Sequence, residues 1–67
     1  MTLNEVKLFM EKTVVCDGEE YILKGCLLFL NPSTHKFDYS AKIVSKKTNT
    51  VYWELLEKIE GKKNFYE

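Results

Sequence analysis

The chain has no arginine; all ten of its basic residues are lysine. Lysine is a solvated point charge and lacks the planar fork that grips a phosphate or a base edge at two points. Specific phosphate or base recognition is therefore disfavoured. Ten acidic residues cancel the ten lysines, so an overall attraction to a polyanion is missing too. Histidine occurs once, as His35, and cysteine twice, as Cys16 and Cys26, with no Cys-x-x-Cys pair. Zinc sites show paired ligands at short spacing, whereas Cys16, Cys26, His35 and Asp38 would each arrive alone. Two cysteines do not make a disulfide framework. Both thiols are expected to be buried and reduced, which suits a cytoplasmic protein. No apolar segment approaches the length of a membrane span. The start, Met-Thr-Leu-Asn, lacks a basic region followed by an apolar one. No cofactor-binding motif, internal repeat or low-complexity tract is present.

What remains suits one small globular domain. The 67 residues are 45% hydrophobic, enough for a packed core and too apolar for disorder. A core of this size is marginal, and disulfides, metal or oligomerisation often help such chains. Residues 1–61 are expected to form the domain and residues 62–67 a polar C-terminal tail.

The longest apolar run organises the chain. From Glu19 and Glu20 it passes through Tyr21, Ile22 and Leu23, then Lys24 and Gly25, then Cys26, Leu27, Leu28, Phe29 and Leu30. Tyr, Ile and Phe favour a pleated strand. Gly25 marks a bulge or bend, and its cost in a helix interior argues against a helix. From Cys26 onward both faces are apolar, which predicts a strand covered on both sides.

Before this strand, Thr2-Leu3-Asn4-Glu5 fits a capping box, and Leu3, Val6, Phe9 and Met10 follow helical spacing. A helix of about Leu3 to Glu11 is expected, docked on the sheet because it is too short to stand alone. Thr13 to Cys16 reads as a strand, and Asp17-Gly18 as a tight hairpin turn placing Cys16 opposite Glu19. That register holds Cys16 and Cys26 too far apart for a bridge.

Asn31 to Lys36 is a loop. Phe37 to Val44 alternates, with Phe37, Tyr39, Ala41 and Ile43 on one face, as in a half-buried antiparallel strand. Lys46 to Asn49 is a turn. Thr50 to Leu55 is favoured as a strand with an extension to Glu60. A helix from Val51 to Glu60, ending at Gly61, is the alternative. The expected fold is α+β: a short N-terminal helix packed on a four-stranded antiparallel meander, curled into a small SH3-like barrel.

The pattern Val14, Val15, Asp17, Gly18, then Tyr21, Leu23, Gly25, Cys26, then Phe37, Tyr39, Ala41, then Leu56 to Glu60 resembles small uncharacterised β-barrel proteins of Gram-positive phages and mobile elements. The resemblance spans most of the chain and rests on core and turn residues. It implies a mobile-element origin and a small barrel, and no activity comes with it.

Enzymatic chemistry finds no support. Cys26 lies in an apolar run and Cys16 beside Asp17, and both settings disfavour a thiolate. Asp17, Glu19 and Glu20 belong to a solvated turn. Two binding readings are left. Lys36, Lys42, Lys46 and Lys47 interleave with Phe37, Tyr39, Tyr52 and Trp53, a pattern that could stack bases. Against this, Phe37, Tyr39 and Trp53 also read as core. The favoured reading is a non-enzymatic protein-interaction module, with Tyr21, Tyr52, Trp53, Phe65 and Tyr66 as candidate anchors. An edge strand, Phe37–Val44 or Thr50–Leu55, could add a partner strand or a second copy. With the resemblance, this reading suggests an adaptor or inhibitor of a host protein.

Overall fold

The computed structural model describes residues 1–62. Helix α1 runs Leu3–Phe9 and starts on the expected capping box: Thr2 accepts the Glu5 N–H, and the Glu5 carboxylate accepts the Thr2 N–H. It ends before Glu11 because Met10 takes extended backbone and Glu11 a left-handed φ of 66°. The chain turns back there, and the Lys12 N–H reaches the Phe9 carbonyl at 2.9 Å.

Five strands follow: β1 Thr13–Cys16, β2 Glu19–Asn31, β3 Lys36–Ser45, β4 Val51–Leu55 and β5 Glu60–Gly61. They form one antiparallel sheet in the order β4-β3-β2-β1-β5. The Asp17-Gly18 turn has positive φ at both residues, and Cys16 lies opposite Glu19 as its length requires. The two longer hairpin loops share one device. His35 and Asn49 each take a left-handed φ and donate their N–H four residues back, to Asn31 and Ser45. Histidine and asparagine tolerate that conformation better than most side chains, which gives the lone histidine a structural role.

Two expectations about the sheet are corrected. There are five strands, not four, because the chain passes through a 3₁₀ turn at Leu56–Lys58 and returns to pair Glu60 and Gly61 with Val15 and Val14. The sheet is open, with β4 and β5 at opposite edges, and is not the expected SH3-like barrel. The five residues of β4 pair only with Ser40–Val44 of β3, so among the described residues no strand pairing joins the two edges. Val51 to Glu60 is strand and 3₁₀ turn, not helix.

Residues directly opposite in neighbouring strands share a sheet face. The helix side carries Val14 and Cys16 of β1, Tyr21, Leu23, Cys26, Leu28 and Leu30 of β2, and Phe37, Tyr39, Ala41 and Ile43 of β3. Only the part near α1 is covered. Leu23, Ile43, Ile59 and Val14 are fully buried there, with Val6, Cys16, Ala41 and Leu56 around them. The helix crosses from the β3 side, where the Met1 nitrogen donates to the Leu56 and Ile59 carbonyls, to the β1 side, where Phe9 packs on Gly61.

Candidate functional site

Two parts of the sheet stay apolar and uncovered. The first is the back face, opposite α1. Its rows follow from the register: Ile22 beside Val44 and Val51, Gly25 beside Lys42 and Trp53, Leu27 beside Ser40 and Leu55, and Phe29 beside Asp38. Among the described residues no element packs on this side, and the buried core lies wholly on the other. Trp53, in the middle of the edge strand β4, is 53% exposed on it. The indole, flanked by Val51, Leu55 and Lys42, makes a flat apolar platform with a single cation beside it.

The second is an arm. Beyond Cys26 and Ala41 the hairpin of β2 and β3 runs out past the helix, in a molecule extending 41 × 26 × 18 Å. Leu28 (50% exposed), Leu30 (53%), Phe37 (68%) and Tyr39 stand on its helix-side face. The expectation that β2 is covered on both faces from Cys26 onward is therefore overturned. β2 is central only over its first half, and its second half has one neighbour, β3. A two-stranded ribbon has no second layer to bury its side chains.

The aromatic candidates divide between the faces. Tyr21 and Tyr52 are on the helix side, where their rings meet edge to face at 5.8 Å and 82°. Tyr21 also packs on the core, and Tyr52 is 43% exposed. Trp53 points the other way, since adjacent strand residues alternate. The three candidates therefore do not form one patch. Phe37, Tyr39 and Trp53, expected as core of the C-terminal sheet, are outside it. Phe65 and Tyr66 lie outside the described residues.

The lysines do not gather either. Lys36 opens β3, and Lys46 and Lys47 follow its last residue. Nine residues lie between Lys36 and Lys46, a span of roughly 30 Å along the strand. Lys46 donates to Glu20 and to the Thr13 hydroxyl, and Lys62 also bonds Glu20. These two lysines hold the Glu20 carboxyl below the ordinary carboxylate range. Lys42 stands beside Trp53, half-buried.

Burial, then Asp17 and Glu54, push the Cys16 thiol up, with Lys58 opposing. Burial pushes up Cys26, with a backbone hydrogen bond from Leu27 opposing. Both cysteines are unbridged. Cys16 lies at the Asp17-Gly18 turn and His35 in the far hairpin loop, so the four metal candidates are not brought together. Asp38 accepts from the Asn31 amide at 3.1 Å. An open groove of about 260 Å³ between the start of α1 and the β3 residues Phe37–Tyr39 has Asp38 and Glu57 as the acidic residues of its lining. No histidine, cysteine or lysine lines it.

No family model, curated protein or solved structure matches the chain. Among the described residues, no helix is long and apolar enough to cross a membrane.

Proposed function

We propose that this chain is a non-enzymatic protein–protein interaction module that docks a partner on the back face of its sheet, around Trp53. One observation carries the reading: on that face Trp53 stands with Val51, Leu55, Val44, Ile22 and Leu27 around the β3 residues Lys42 and Ser40, and no element covers them among the described residues. Contiguous exposed apolar surface marks interaction sites, and tryptophan is among the strongest interface anchors. The partner that fits is a protein presenting an apolar patch with a carboxylate at its rim, to meet Lys42. The resemblance to small phage and mobile-element proteins supports an adaptor or inhibitor of a host protein, acting in a Gram-positive cytoplasm.

The test is affinity capture from a Gram-positive lysate with and without nuclease, read by mass spectrometry. A stoichiometric protein retained after nuclease at moderate salt is the expected result. Recovery that disappears with nuclease, and weakens steeply with salt, would move the function to nucleic acid and to Lys36, Lys42, Lys46 and Lys47.

A further inference from the structure

The two edges of β2 are treated differently along its length. On the β1 side, Glu19–Ile22 pair with β1, and Leu23 exchanges backbone hydrogen bonds with Glu11 and Lys12 at 2.8 and 3.1 Å. From Gly25 to Asn31 that side has no strand partner among the described residues. The seven residues are Gly-Cys-Leu-Leu-Phe-Leu-Asn, without one charge. Exposed strand edges are ordinarily blunted by lysine, proline, a bulge or shortness. The other free edges here follow that rule. β4 is short and carries Glu54, and the unpaired start of β3 carries Lys36 and Asp38.

We propose that the chain forms a symmetric dimer in which β2 pairs antiparallel with β2 of a second copy, about a two-fold axis at Leu28. An antiparallel pairing of a strand with its own copy is isologous by construction. An axis at Leu28 sets Leu27 against Phe29, Cys26 against Leu30 and Gly25 against Asn31 of the other copy, and Leu28 against itself. Every pair is uncharged, so no like charges meet. Moving the axis one residue either way draws Lys24 or Pro32 into the ladder. The β1–Lys12 segment stops the ladder at Leu23, and Pro32 stops it at the other end.

The joined arms make a four-stranded platform, β3-β2-β2-β3, whose helix-side rows carry Leu28, Leu30, Phe37 and Tyr39 from each copy. Phe37 and Tyr39 stand on the outer strands, so the seam itself is made by the two β2 backbones and by Leu28 and Leu30, which are 50% and 53% exposed before pairing. The second copy is thus an occupant that matches this edge in charge and symmetry. The pairing edge of β2 faces away from β3 and Trp53 stands on β4, on the other side of β3, so the dimer and the proposed function fail independently.

The experiment uses the full chain. Sedimentation from micromolar to millimolar concentration is expected to show the mass doubling. Leu28→Lys, at an exposed position, is expected to keep the circular dichroism spectrum and remain monomeric, because two ammonium groups would meet on the axis. In a Cys26→Ala background, oxidised Leu28→Cys is expected to give a reducible covalent dimer, since residues directly opposite lie within disulfide reach. Leu30→Cys is expected to give little. A monomer throughout, a dimer that persists in Leu28→Lys, or cross-linking stronger at position 30 than at 28 would each overturn the proposal.

Discussion

Leu23 and Gly25 of β2 pair with adjacent residues of β3, Ile43 and Lys42, leaving Lys24 between them as a bulge. The bulge lets both Leu23 and Cys26 face the helix although two residues separate them. It also turns Lys24 outward to bond Glu11 at 2.9 Å. Deleting Lys24 is therefore expected to keep the pairing of Cys26 with Ala41 while straightening the ladder. Cross-strand NOEs between those two residues are the check, and a one-residue slip of β3 would contradict it.

Leu23 is fully buried and Leu27 is 55% exposed on the back face. The same chemical deletion should therefore have different costs. Leu23→Ala is expected to lose about 2–5 kcal/mol, a large part of the stability of so small a domain. Leu27→Ala is expected to change stability by about 0.5 kcal/mol or less. Urea unfolding at low protein concentration separates the two.

Gly61 leaves room for the Phe9 ring. A Cβ at position 61 would stand 2.3–2.6 Å from the ring carbons. Gly61→Ala should force Phe9 off its seat and cost about 1–3 kcal/mol, as overpacking does. The effect should shrink in a Phe9→Ala background, because the clash is gone. Equal losses in both backgrounds would locate the cost elsewhere.

Glu20 joins the turn side of β2 to Lys46 and Lys62, and these partners lower its carboxyl pKa. A carboxylate lowered in the folded state adds stability above its unfolded pKa. That contribution is lost as pH falls through the folded value. Glu20→Gln should therefore flatten part of the acid limb of the stability–pH curve and leave the alkaline limb alone. The group is exposed, so the effect is small and should fade with salt.

Local signals were enough for the helix cap, the Asp17-Gly18 hairpin, the irregularity near Gly25 and the strand at Val51–Leu55. Each rests on neighbouring residues, and the hairpin also on the positive φ that Asp17 and Gly18 tolerate. β5 was missed because two residues carry no period; its one sign is Gly61, which reads as a helix cap until Phe9 is placed against it. The arm was misread for another reason. Cys26 to Leu30 has the composition of a buried strand, and composition cannot say whether a second layer exists to bury it. The split of Tyr52 from Trp53 was readable, since neighbours in a strand point to opposite faces. Which face would be bare depended on where α1 docked.

The most direct test of the interaction surface is capture of protein from a nuclease-treated lysate by the wild-type chain and by Trp53→Lys, side by side. Trp53 is outside the core, so the variant is expected to unfold at nearly the wild-type urea concentration. Retention of the captured protein is expected to fall at least tenfold in the variant, while Lys46→Glu with Lys47→Glu leaves it unchanged. Equal capture by wild type and Trp53→Lys would contradict the assignment of the back face as the docking surface.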